Sequence, residues 1–245
     1  MHRLLNDVVR TLVPLRQDRH GPLPPLMLML TVITGLVDAV SYLGLGHVFV
    51  ANMTGNVVFL GFALVGAVNL SVLASAVALA AFLVGALAGG RLGTWFAAHR
   101  GKQLKTASAV QTFLVAVTVA AAAVTDGRVT TGVQYTLIVF LGLGMGLQNA
   151  VARRLGVPDL TTTVLTLTLT GLAADSTPAG GEAPRPGRRI LSVLAMFLGA
   201  FVGAQLVLHG HLVLTLSLAL ILLAVISVAT HRLSAADPAW TRSAS

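Results

Sequence analysis

Residues 48–67 read VFVANMTGNVVFLGFALVGA, an apolar run of membrane-spanning length interrupted by Asn52-Met53-Thr54-Gly55-Asn56. Whether this stretch crosses a bilayer decides the fold. A crossing helix needs about 20 mostly apolar residues, and two amides and a glycine are poor company for lipid. Irregular backbone at membrane depth survives only where protein or a wet cavity satisfies its polar groups. The stretch therefore reads as a broken or re-entrant segment.

Seven further apolar segments surround it, at about 25–45, 72–93, 107–124, 133–151, 160–173, 190–208 and 212–230. With 56% hydrophobic and 10% charged residues, the chain falls far below the roughly 25% charge of soluble domains. These residues specify an all-α, polytopic transmembrane helix bundle. The segment at 160–173 is also odd: it is short, follows Pro158-Asp159, and alternates Thr166-Leu167-Thr168-Leu169-Thr170 with a period of two. Threonines can also sit in a membrane helix by bonding back to the preceding turn, so a continuous span stays open here.

Lysine and arginine positions test the count, because cytoplasmic loops collect them. Six crossings from a cytoplasmic N-terminus, with 48–67 and 160–173 not crossing, leave only Arg128 outside. Eight crossings would put Arg91, Arg100, Lys102, Lys105, Arg153 and Arg154 outside. The charge rule favours six, with both termini cytoplasmic. The net charge of +8 is spread between apolar runs and forms no basic domain, so no nucleic-acid partner is expected. Without cysteine, disulfide and thiolate chemistry are excluded.

Residues 1–24 form a leader with Arg3, Arg10, Arg16 and Arg19. Its Leu4, Leu5, Val8, Val9, Leu12 and Val13 recur at the spacing of an interfacial amphipathic helix, though a disordered tail is an equal reading. Residues 25–230 form the transmembrane domain and 231–245 a cytoplasmic tail. Residues 176–188, rich in Pro and Gly, read as a mobile cytoplasmic loop.

The halves 26–125 and 133–230 resemble each other. Asp38-Ala39-Val40 matches Asn149-Ala150-Val151, Thr54 falls against Thr166, and Gly85 and Gly89 match Gly199 and Gly203. With six crossings each half has three, so the repeat is inverted, a recurrent transporter plan. With eight it is parallel. The G-x-x-x-G pairs themselves read as packing positions that let helices approach closely.

Asp38 lies inside the first span, where an acid costs about 2.5–3.5 kcal/mol on insertion scales and normally faces a cavity or a partner. It is either a proton-coupling group or a hydrogen bond that locks the fold. Its counterpart Asn149, with Gln148 beside it, is polar but not ionisable. Asn52 and Asn56, four apart, share a helical face and with Thr54 could line a site whose opposing wall is Asp159 and the stretch 161–166, including Thr162, Thr163 and Thr166. Amides, hydroxyls and freed carbonyls suit a neutral or polar solute, or a cation, better than a strong anion. His47 reads as an interfacial residue, and His209-Gly210-His211 as a turn. No G-x-S-x-G, H-E-x-x-H or P-loop is present, so no enzyme activity, cofactor or metal is expected.

The run Gly35-Leu36-Val37-Asp38-Ala39-Val40-Ser41-Tyr42-Leu43, continuing through Gly46-His47-Val48-Phe49 to Asn52-Met53-Thr54-Gly55-Asn56, resembles the YoaK-like family of bacterial membrane proteins. So does Gly146-Leu147-Gln148-Asn149-Ala150 with the threonines after it. The resemblance spans about 26–230 and implies a bacterial inner-membrane protein, without supplying an activity. Where the family tends to have T-G-N in the second half, this chain has Thr166-Leu167-Thr168. The expected function is a small-solute transporter, proton-coupled through Asp38. A passive channel and a transport-free scaffold or sensor are the alternatives. Its expected partners are the bilayer, a small solute and protons, with homo-oligomerisation left open.

Overall fold

The computed structural model describes residues 2–15, 18–235 and 239–242. Arg16 of the leader and residues 236–238 and 243–245 of the tail lie outside the described residues. The chain folds as nine α-helices among the described residues: α1 His2–Leu12, α2 Leu23–Gly44, α3 Met53–Leu64, α4 Val72–Trp95, α5 Arg100–Val124, α6 Thr131–Leu155, α7 Leu165–Ala174, α8 Pro186–Leu208 and α9 Leu212–Ser234. Six of them, α2, α4, α5, α6, α8 and α9, are long and apolar enough to cross a membrane. With 12 and 10 residues, α3 and α7 rise only about 15–18 Å, half the hydrocarbon thickness. The interrupted stretch at 48–67 and the threonine segment are the two that fall short.

Local chemistry sets the boundaries. Pro24 and Pro25 open α2, where a missing N–H is harmless. Ser71 caps α4 by accepting from the Ala74 N–H at 3.1 Å, and Thr130 caps α6 at Val133. α6 ends on Gly156 in the left-handed region, φ 59°. α5 starts at Arg100, seven residues before its apolar run, because His99 Nδ1 accepts from the Lys102 N–H and caps the extra turns.

The helix termini sort into two ends. At one lie the starts of α2, α5 and α8 and the ends of α4, α6 and α9, together with nearly every arginine and lysine; the other end holds Arg128. Arg100 ties the basic end together, donating to the carbonyls of Leu155 and Arg19 (3.4 Å) and to His20 Nδ1 (3.1 Å). Burial, and then Arg100, Arg188, Arg19 and Arg185, keep His20 neutral, with its pKa lowered to about 4. α1 packs on the start of α8, where Val8 covers Gly187. Arg185 gives α8 no side-chain cap, and Asp7 of α1 supplies one by accepting the Arg188 N–H at 3.1 Å. α1 and the residue after it leave Leu5, Val9, Leu12 and Val13 exposed, an apolar stripe suited to the membrane surface.

Two interlocks hold the spans. α8 lies against α2: a Cβ on Gly199 would overlap the Val32 carbonyl oxygen, and one on Gly203 would stand 2.8 Å from Ala39 Cβ and 3.1 Å from Leu36 Cα. α4 lies against α6 in the same way: a Cβ on Gly85 would overlap the Leu143 carbonyl, and one on Gly89 would stand 2.8 Å from Ala150 Cβ and 3.2 Å from Leu147 Cα. The reverse contacts also match, with Gly35 set against Met196 and Ala200, and Gly146 against Phe82 and Ala86. The glycines serve close packing, as their spacing suggested. Large apolar side chains such as Leu83, Leu87, Phe113, Phe197 and Phe201 point outward, as lipid contact requires.

Candidate functional site

Each half-length helix starts against a polar residue inside a span. In α2, Asp38 Oδ1 accepts from the Ala51 N–H at 3.3 Å, holding the turn that leads into α3. Among the described residues no cation pairs with it. In α6, Asn149 Oδ1 accepts from Thr163 Oγ1 at 2.5 Å, holding the loop that leads into α7, while its Nδ2 donates to Met145 O at 2.9 Å. The two residues matched in the sequence thus hold matching loops, one with a carboxylate and one with an amide.

The Asn52–Asn56 constellation divides. Asn56 is fully buried and folds back on the preceding turn, its Oδ1 accepting from Phe49 N–H at 2.9 Å and its Nδ2 donating to Phe49 O. Both ends of its amide are therefore committed to the backbone rather than presented to a solute. Asn52 and Thr54 are exposed, and Asn52 caps nothing with its side chain. Around the turn, Phe49 stacks on Tyr42 at 5.0 Å and on Phe59 at 5.8 Å, and His47 meets Tyr42 edge-on at 5.2 Å. Replacing Asn56 with alanine strands a buried N–H and a buried carbonyl, at about 1–3 kcal/mol each. A lower melting temperature of purified Asn56→Ala checks this; an unchanged melt would contradict it.

The second loop is held by charge and by a buried network. Asp159 accepts from Arg185 Nε at 3.0 Å and Arg189 Nε at 2.9 Å, and Arg189 also reaches Asp175 at 2.8 Å and the Gly171 carbonyl. Asp159 thus clamps the loop, and the 176–188 stretch is tied down through Arg185 and by Ala183 N–H donating to Asp175 O. Thr162, left-handed at φ 67°, is buried and accepts from Gln148 Nε2 at 3.1 Å. Gln148 Nε2 also donates to Thr34 Oγ1 at 3.0 Å, and its Oε1 accepts from Gln111 Nε2 at 2.8 Å. Spans α2, α5 and α6 and the α7 loop therefore meet at one carboxamide. Thr166 is exposed.

A cleft of about 740 Å³ opens beside this loop. Asn149, Thr161 and Thr163 line it, with Arg153 and Arg154 at its basic-end rim and α4 as the far wall. The structure brings Asn149, Thr163 and Gln148 together around one loop and Asp38 to the other; it does not bring Asn52 and Asn56 into one lining. Sequence reasoning passed over Gln111, Thr34, Arg189 and the two rim arginines. A lone glutamine inside an apolar span was the available signal for Gln111.

Six apolar spans and two half-length helices held at polar residues inside spans define a polytopic helical membrane protein. The chain belongs to the family described as "Protein of unknown function (DUF1275)", which matches residues 26–229. It is 35% identical over 155 residues to the UPF0700 transmembrane protein YoaK of Bacillus subtilis (strain 168), an alignment covering 61% of this chain and 65% of that one. The matched region thus spans just under two thirds of the length of this curated relative. No solved structure matches the chain.

Proposed function

We propose that the protein is a carrier for a small solute in a bacterial inner membrane, not an enzyme, with both termini in the cytoplasm. The two halves are read as an inverted repeat, because α2, α4 and α5 run opposite in sense to their respective counterparts α6, α8 and α9. The observation that carries this reading is the paired arrangement of two half-span helices entering from opposite ends, each with its leading loop held by a hydrogen bond that Asp38 or Asn149 accepts. Discontinuous helices meeting near the midplane of inverted repeats are the recurrent site plan of secondary transporters. The Asn149–Thr163 loop borders the open cleft, whereas Asp38 is held by the Ala51 turn. Rocking of one interlocked helix pair against the other would exchange which loop is open.

Asp38 is assigned the proton-coupling role, since it is the acid placed at a loop-holding position inside a span. Asparagine keeps the acceptor for Ala51 N–H while removing the exchangeable proton. The test is reconstitution into liposomes containing a pH-sensitive dye, challenged with panels of carboxylates, amines, sugars and phosphate. The wild type is expected to show solute-dependent proton movement, and Asp38→Asn to lose it with an unchanged melt. Downhill solute flux without protons, equal in both proteins, would indicate a channel instead. No flux of any panel member with well-folded protein would indicate a scaffold or sensor.

A further inference from the structure

The two loops differ in charge. In the first half the polar residue facing the α3 turn is a carboxylate, Asp38, and it satisfies the Ala51 N–H itself. In the second half the equivalent position is the neutral Asn149, and the cleft beside it carries two guanidinium groups and no acid among its lining residues. Arg154 lies with its Cδ and Nε across Gly93 of α4, where a Cβ would stand 2.9 Å from Nε, so it is packed against the α4 wall of the cleft. Arg153 is exposed, and among the described residues neither arginine has an ion pair. The nearest acid on the loop, Asp159, is already shared between Arg185 and Arg189. No acid among the cleft's lining residues pairs with either arginine, and both side chains stay exposed to an incoming anion. A volume of about 740 Å³ is large enough to seat one small molecule.

We infer that this cleft binds a small organic anion, its carboxylate or phosphate held by Arg153 and Arg154 and its remainder lying along Asn149, Thr161 and Thr163. This rests on the carrier reading and names its substrate class, and it departs from the neutral or cationic solute that the amide and hydroxyl residues alone suggested. Guanidinium groups pair with carboxylate and phosphate in charge-assisted, often bidentate, geometry. Asn149 and the threonines offer the uncharged contacts that fix orientation. An anionic lipid headgroup presents the same chemistry, and the experiment separates the two sources.

Purified full-length protein in zwitterionic detergent is melted with succinate, glutamate, benzoate or inorganic phosphate, and with glycerol, choline or tetraethylammonium as counter-probes. At least one soluble anion is expected to stabilise the wild type. The variant Arg153→Gln/Arg154→Gln should bind it at least about tenfold more weakly, the loss of one charge-assisted contact. Lys102→Gln/Lys105→Gln, which removes as much charge from the same end but outside the cleft, should bind as the wild type does. Stabilisation by cations or neutral solutes alone, or anion binding indifferent to Arg153 and Arg154, would overturn the inference. So would native mass spectra in which phosphatidylglycerol occupies the Arg-dependent site and no soluble anion competes with it. An anion that binds in the cleft but is not moved in liposomes would leave this site standing and remove the carrier reading. Transport confined to cations would do the reverse.

Discussion

Gly199→Ala and Gly85→Ala should each lower the stability of the purified protein by about 3 kcal/mol, the upper part of the range for overpacking. The size follows from what the new methyl meets. At Gly199 it overlaps the carbonyl oxygen of Val32, and at Gly85 that of Leu143. A carbonyl inside a helix cannot rotate away as a side chain can, so the helices must separate and give up contacts along their seam. Because the two interlocks are built alike, the losses should be alike. Gly61→Ala, where a Cβ meets nothing within 4 Å, is the control and should melt with the wild type. Detergent melts followed by size-exclusion chromatography give the comparison. Equal stability of all three variants and the wild type would remove the two interlocks from the account.

Arg189→Ala should have an effect of similar size but a different place. The Arg189 side chain is 10% exposed and bonds Asp159, Asp175 and the Gly171 carbonyl, joining the loop before α7, the end of α7 and the start of α8. Cutting a buried ion pair from one side costs about 3–5 kcal/mol. The low end applies, since Asp159 keeps Arg185 and Asp175 is half in water. The loss should be local: hydrogen exchange should accelerate across 157–185 while α2, α4 and α6 keep their protection. Uniform acceleration through all helices, or none, would contradict the clamp.

How much of this was legible in the sequence depended on what each residue records. Arginine and lysine record which side of a bilayer they stop at, so their positions yielded six spans although eight apolar segments are present; α3 and α7 proved half-length. The small-residue pairs at Gly85/Gly89 and Gly199/Gly203 recorded close approach, but not which helix approached. Asn56 was legible as a polar residue in an apolar segment, and its role was not. Sharing a helical face with Asn52 says nothing of the tight turn at 46–52, left-handed at His47 (φ 57°), that returns Phe49 to the Asn56 amide. The joining of Gln111 on α5 with Gln148 on α6 and Thr34 on α2 is tertiary, and no local pattern encodes it. Arg153 and Arg154 entered the sequence argument only as charges to be counted. They line a cleft because the 156–164 loop folds back from Gly156 toward Asn149.

The central claim is that α3 and α7 enter from opposite faces and do not cross. Single cysteines at the exposed positions Val68, Lys102, Asp126, Arg153 and Glu182 test it directly, since the chain has no cysteine of its own. Intact cells are labelled with a membrane-impermeant maleimide. Labelling at Val68 and Asp126 alone is the predicted result. Labelling at Lys102 and Arg153, with Val68, Asp126 and Glu182 protected, would mean that all eight segments cross and that the inverted arrangement is wrong.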